Sequence, residues 1–206
     1  MAVVVPQFLN DLPLLRDLNE AEVEHVSKFA ARRMLRQDTV VQLSGEPTGF
    51  LGFLLSGRGM ESIPSGDGRL YVTRRMRGGA LFGERALVVD EPSAVEVRCL
   101  QGSEILLIGV SAFQELLPTS PRLAAGLARS LADRESALRQ RLEVTLIPRG
   151  EDRVLAYLDL AARESARGNT DSMRALGLTH EQIAVDCGLS RETVSRILSR
   201  WRDTDG

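Results

Sequence analysis

The chain has 206 residues, 43% of them hydrophobic and 26% charged, with a net charge of −2, the composition of a globular protein of one large domain or two small ones. No apolar run reaches the roughly 18 residues of a membrane span. The apolar start, Met1 to Val5, lacks a basic flank and meets Pro6, so no signal peptide is expected. Cys99 and Cys187 are too far apart in sequence for a disulfide framework or a metal cluster, which fits a reducing cytoplasm.

Residues 1–37 read as helical: Asn19 followed by Glu22 marks a helix start, and Val23, Val26 and Ala30 recur at helical spacing. From Asp38 to about Val110 the texture changes to short apolar runs between glycine-bearing turns. Strands are predicted at residues 39–43, 50–55, 70–76, 95–100 and 105–110, with turns at Ser44-Gly45, Ser56 to Gly59, Ser65 to Gly68, Gly78-Gly79 and Gln101-Gly102. Regularly spaced short strands of this kind form a β-sandwich, roll or barrel. Pro118 and Pro121 then open a long proline-free helix, Arg122 to about Ile147. Its leucines 123, 127, 131, 138, 142 and 146 lie along one stripe, with Arg129, Asp133, Arg134, Arg139 and Arg141 mostly off it. Such a stripe is either the core face of a domain helix or a dimer seam.

Pro148-Arg149-Gly150 reads as a hinge. Beyond it, Val154, Leu155, Leu158 and Ala162 make a second apolar helical face, Gly168 to Asp171 a polar loop, and Met173 to Leu178 a short strand.

The final segment carries the chemistry. Thr179 with Gln182 three residues on forms a capping box, Gly188 breaks the helix, and Ser190 is a good N-cap for a second helix, Arg191 to about Arg202. Ala184 is small where two helices would cross, and Leu189, Val194 and Ile197 are apolar where the second must pack back on the first, which makes a helix-turn-helix. A plain helical hairpin accounts for the apolar positions but not for Arg191, Arg196, Arg200 and Arg202 standing against Glu192 alone. A cationic helix in a net acidic chain suits DNA contacts. Arginine pairs with guanine, and Glu192 suits the cytosine amino group. An exposed Glu192–Arg196 salt bridge is the competing reading, worth about 0.3–0.5 kcal/mol.

Taken together, the order of elements, the stretch Gly79 to Leu87 (GALFGERAL) and the stretch Gly188 to Leu198 (GLSRETVSRIL) resemble the cyclic-AMP receptor protein and fumarate-nitrate regulator (CRP/FNR) family of bacterial transcription factors over nearly the whole chain. The resemblance implies an α+β protein in three parts: a β-roll sensor domain of the cyclic-nucleotide-binding type at 1–118, a dimerisation helix at 119–147, and a helix-turn-helix domain at 148–206. It decides the stripe in favour of a homodimer seam through Leu127, Leu131, Leu138 and Leu142. It also implies promoter DNA and RNA polymerase as partners. Thr179, Ser190, Arg191, Glu192, Ser195, Arg196 and Arg200 are the expected DNA-binding residues, on an inverted repeat resembling TGTGA-N6-TCACA.

The departures bear on the effector. In the family, the segment after Phe82-Gly83-Glu84 is a phosphate-binding cassette that continues with proline, arginine and serine. Here Ser93 and Ala94 follow Pro92, so the arginine and its hydroxyl partner are both missing. An ungapped alignment places Leu138 and Arg139 where cyclic-nucleotide binders carry hydroxyl residues. Gly83, Glu84, Arg85, Ser93, Ala94 and Leu138 thus outline a degenerate pocket, and independence of cyclic AMP is expected. No cofactor is expected: two cysteines cannot hold an iron–sulfur cluster, and His25 and His180 read as solvated side chains and not as haem ligands. Family members usually carry a β-hairpin wing after the recognition helix; here only residues 203–206 follow it, so either the wing is lost or the chain is short.

An enzyme is not expected. A cupin-type metal enzyme needs histidine-rich strands, and none lies between His25 and His180. No nucleophile–base–orienter set is present. A helix-turn-helix that binds only protein is disfavoured by the recognition-helix arginines, and a salt-dependent DNA shift separates the two readings.

Overall fold

The computed structural model describes residues 12–66, 70–166 and 178–204. The polar loop expected at 168–171 and all but the last residue of the strand expected at 173–178 lie outside them. The chain divides into two compact units, residues 1–134 and 135–206.

In the first unit, a 3-10 turn at Leu15–Asp17 leads into α1, Glu20–Ser27, whose N-terminus is closed by a full capping box between Asn19 and Glu22. Eight strands follow: β1 Ala30–Met34, β2 Thr39–Gln42, β3 Phe50–Ser56, β4 Arg58–Pro64, β5 Leu70–Arg77, β6 Ala80–Phe82, β7 Glu96–Cys99 and β8 Glu104–Gly109. They form two antiparallel sheets, ordered β1-β8-β3-β6 and β2-β7-β4-β5. Both sheets are stitched from strands distant in sequence, which makes the β-roll of an α+β fold. Leu54, Phe82, Val97, Cys99 and Ile105 fill one core. Leu51, Phe53, Leu106 and Ile108 of β3 and β8 form another with Val23 and Val26 of α1 and with Phe113 of α2, Val110–Leu116.

Several elements differ from the sequence-based expectation: β4, β6 and α2 were not predicted, β4 begins inside the turn expected at Ser56 to Gly59, and β1 and the inward face of the helix after the hinge were read otherwise. Residues 30–34, read as helix, are strand β1, because Ala30 pairs with Ile108 and Met34 with Glu104 along the edge of β8. Helix-forming residues take the extended state where a neighbouring strand offers a ladder. In the C-terminal unit, α4, Gly150–Ala166, buries Val154, Tyr157 and Leu158, while Leu155 is exposed. Its inward face is therefore phased about Tyr157, not Leu155.

The long helix α3 runs Pro121–Thr145. Pro121 occupies the first turn, where its missing N–H costs nothing, and the Ser120 hydroxyl accepts the Leu123 N–H at 3.4 Å. The leucine stripe divides along its length. Leu123 and Leu127 are enclosed with the β-roll core, Leu127 at 3% exposure, and Leu131 packs partly against them. Leu138 and Leu142 are 50% and 57% exposed. Leu127 is thus withdrawn from the expected seam, because its own chain already covers it.

Candidate nucleic-acid interface and effector pocket

The helix-turn-helix is built by α5, His180–Cys187, and α6, Arg191–Thr204. Thr179 Oγ1 accepts the Gln182 N–H at 3.2 Å, and Gln182 Oε1 accepts the Thr179 N–H at 2.9 Å. At the other end of α5, Gly188 sits at φ 62°, in the left-handed region that a residue with Cβ enters at a cost. This lets the Leu189 N–H turn back to the Ala184 carbonyl at 2.9 Å and end the helix. Three residues later the chain is helical again, with Ser190 Oγ accepting the Thr193 N–H at 3.2 Å. Ile183, Ala184, Cys187, Val194 and Ile197 are buried together.

α4 braces this pair. Arg153 donates to the Cys187 carbonyl at 2.8 Å and the Ile147 carbonyl at 2.9 Å, and the Tyr157 hydroxyl donates to Asp186 at 2.5 Å. Glu151 accepts from Trp201 Nε1 at 2.9 Å and from Arg200 at 3.3 Å. None of these bracing roles follows from the apolar pattern of α4, which leaves Arg153 and Tyr157 unassigned.

The packing leaves Arg191, Glu192 and Arg196 exposed on the first two turns of α6. Hydrogen bonds from its own backbone N–H and the Ser190 hydroxyl, with Arg191 nearby, hold the Glu192 carboxyl below the usual range. Glu192 is therefore an ionised acceptor near neutral pH. The four other expected contact residues are already engaged, Ser190 as the cap of α6. The Thr179 hydroxyl caps α5, Arg200 leans on Glu151, and Ser195 Oγ lies 2.8 Å from His180 Nδ1. His180, read from sequence as solvated, is half-buried and tied to the recognition helix.

In the β-roll, Gly83 has φ 82°, and a Cβ there would meet the Phe50 carbonyl oxygen at 2.8 Å. This left-handed turn carries Glu84 into the interior, where its side chain is 1% exposed. Arg85, Ser93 and Ala94 of the expected pocket make other contacts or face outward. Arg85 is exposed and pairs with Glu91 at 2.6 Å, and Ala94 is exposed. Ser93 Oγ accepts from Gln42 Nε2 at 2.6 Å and donates to the Val95 carbonyl at 2.8 Å, so it closes a local turn. Arg98, the other arginine of the cassette region, pairs with Glu96 at 2.9 Å.

The groups that do meet Glu84 were not singled out from the sequence. Arg134 of α3 bridges Glu84 Oε1, at 2.8 Å, and Glu61 of β4, in a very short contact; Arg74 of β5 lies 3.6 Å from Glu61. Burial raises the Glu84 carboxyl above its ordinary value, a shift that Arg134 offsets only in part. The one sequence signal for this cluster is Glu61 itself, a carboxylate between Met60 and Ile63 on a strand with an inward face.

Among the described residues no helix is long and apolar enough to cross a membrane, and no group of three or more His, Cys, Asp or Glu side chains could hold a metal ion. A β-roll joined through a long helix to a helix-turn-helix defines a DNA-binding regulator with an effector-type domain. Comparison with known proteins agrees. Residues 32–120 match the cyclic nucleotide-binding domain family and residues 152–205 the Crp-like helix-turn-helix domain family. The cAMP-activated global transcriptional regulator CRP of Haemophilus influenzae is 26% identical over 87% of this chain and 78% of its own. The fold is shared with the c-di-GMP responsive global regulator CLP of Xanthomonas campestris, at TM-score 0.72 and 22% identity over 91% of this chain and 93% of that one. It is also shared with a crp/fnr-family regulator from Eubacterium rectale, at TM-score 0.71 and 21% identity over 96% and 89% of the two chains. The chain belongs to the CRP/FNR family of transcription regulators and carries that family's helix-turn-helix DNA-binding domain.

Proposed function

We propose that the protein is a transcription activator that works as a homodimer on an inverted repeat resembling TGTGA-N6-TCACA, without dependence on cyclic AMP and without catalytic activity. The observation that carries the reading is the exposed trio Arg191, Glu192 and Arg196, presented on the leading turns of a helix whose remaining faces are capped, buried or braced. The N-terminal end of the second helix enters the major groove in such motifs. There Arg191 and Arg196 are assigned to guanines and the ionised Glu192 to a cytosine amino group. Thr179 and Ser190, whose hydroxyls cap the two helices, and Ser195 would line the phosphate approach, and Arg200 the outer backbone.

The division of labour follows the family: a β-roll sensor at 1–118, a dimerisation helix at 119–147 and the DNA-binding domain at 148–206, acting on RNA polymerase from the cytoplasm. Leu138 and Leu142, exposed on α3, and the partly buried Leu131 are the seam residues this reading retains. Half-sites would then lie about 34–36 Å apart, one helical turn, mirroring the two-fold axis. Selection of bound fragments from a random duplex pool tests this directly. Recovery of a G·C-containing inverted repeat at that spacing supports the reading; a pool with no inverted repeat rejects it.

A further inference from the structure

The interior of the β-roll holds a buried charged cluster around Glu84. Two carboxylates converge in it: Glu84, on the turn after β6, and Glu61, on β4, with side-chain exposures of 1% and 8%. Between them lies one guanidinium, that of Arg134, with Nη1 on Glu84 and Nη2 on Glu61. The periphery is closed around Glu61. Thr73 Oγ1 donates to Glu61 Oε1 at 3.2 Å, and Arg74 reaches both Glu61, at 3.6 Å, and the Leu81 carbonyl, at 2.5 Å. Glu84 is less well served. Both of its oxygens are buried without a hydrogen-bond partner among the described residues, and Oε1 meets Arg134 as an ion pair alone.

A planar fork of N–H donors is the group that satisfies two facing carboxylates at once, and an ammonium does it less well. An anion has the opposite fate here. It would approach two buried carboxylates while the guanidiniums that could neutralise it are already engaged, and the desolvation cost would stand uncompensated. We propose that this pocket is a guanidinium-binding site whose resident ligand is Arg134, so that a soluble effector must displace Arg134 and carry an amidinium or guanidinium group. Arg134 competes with the advantage of tethering, which raises its local concentration into the millimolar range or above. Its helix runs on from Arg134 to Thr145, so occupancy of the pocket bears on the helix that leads to the DNA-binding domain. This last consequence rests on the DNA-binding function proposed above; the identity of the site does not.

The test uses the full chain with Arg134→Met, which removes the bridging guanidinium and leaves Arg74 beside Glu61 alone, and the double variant R134M/E84Q. Methylguanidinium at millimolar concentration is the probe. Tetramethylammonium, a cation without N–H donors, is the control at equal ionic strength. Methylguanidinium should raise the Tm of R134M by several degrees and leave the wild type and R134M/E84Q unchanged, and tetramethylammonium should raise none of them. If R134M folds poorly, refolding with methylguanidinium should restore a cooperative transition that tetramethylammonium does not. Affinity of R134M for the selected duplex should fall about 10-fold, within the usual range for linked sites, and recover with the probe. An equal response to both cations, a response that survives E84Q, or stabilisation of the wild type by cyclic AMP overturns the proposal. A cation response in a protein that binds no DNA supports the pocket and rejects the DNA reading instead.

Discussion

Arg191 and Glu192 occupy neighbouring positions, but their surroundings give them different expected roles. Glu192 is held ionised by its own backbone N–H, by Ser190 and by Arg191, while Arg191 is exposed on the first turn. Arg191→Ala should cost about 1–3 kcal/mol of specific binding and relax the preference at one G·C pair, with little change on non-specific duplex. Competition binding on single-base variants of the selected site checks it; a uniform loss across all variants would reassign Arg191 to phosphate. The two cysteines give a separate residue-scale expectation. Burial pushes the Cys99 thiol up to about 11 and the Cys187 thiol, next to Asp186, up to about 12. A raised folded-state value means the fold favours the neutral thiol. That contribution is complete below the unfolded value of 9.0 and is lost as pH climbs through 9 towards 12. A thiol reagent at pH 8 should therefore label neither cysteine in the native protein and both in denaturant, and the denaturation midpoint should decline above pH 9. The exposed position of Arg191, Glu192 and Arg196 on a short helix was legible from the sequence because its signal is local: caps, a turn glycine and charges between apolar positions. Arg134 was not. Its partners lie 50 and 73 residues away on β-roll segments, and nothing in helical periodicity separates a bridging arginine from a solvated one.

Elements whose apolar pattern and bounding turns are both local were read correctly in kind. The strands at 39, 50, 70, 95 and 105 and the two helices of the motif form close to where their glycines and caps place them. β1 was missed because its strand state comes from β8, more than 70 residues on. The leucine stripe of α3 shows a further limit: one continuous pattern serves two surfaces. Up to Leu131 it packs against the β-roll core, and from Leu138 it is exposed. The seam is therefore tested at Leu138 and Leu142. Replacing both by Asp should leave the fold intact, shift the protein to monomer in sedimentation, and abolish cooperative binding to the inverted repeat, since unpaired charges in a buried seam are strongly destabilising. Leu127→Asp should behave differently: it puts a charge inside the chain's own core and should lower the Tm by unfolding the first unit. A dimeric L138D/L142D protein with normal DNA binding would reject the seam.

For the molecule as a whole, the question is whether a nucleotide is needed to reach the DNA-binding state. The relative from Haemophilus influenzae is cAMP-activated and the one from Xanthomonas campestris is c-di-GMP responsive, so the shared fold does not choose an effector; the pocket residues must. A cyclic nucleotide phosphate is a monoanion, and a partly buried site has to neutralise it, best with a bidentate arginine. Around Glu84 the chain offers Ser93, which closes a turn with Gln42 and Val95, and Arg85, which faces outward to Glu91. The two arginines that do reach the interior, Arg74 and Arg134, are drawn to Glu61 and Glu84. For cyclic AMP to bind, Arg134 would have to leave two buried carboxylates, and the incoming phosphate would then face them. A ligand shifts a conformational equilibrium only by its differential affinity for the two states, and here that affinity is expected to be negligible. Titration of the wild-type protein with cyclic AMP should give no binding heat, and its affinity for the selected duplex should be the same with and without the nucleotide. Saturable binding at micromolar concentration, coupled to a gain in DNA affinity, would show that Arg134 or Arg74 can turn from its carboxylate to the phosphate, and cyclic-AMP independence would then be wrong.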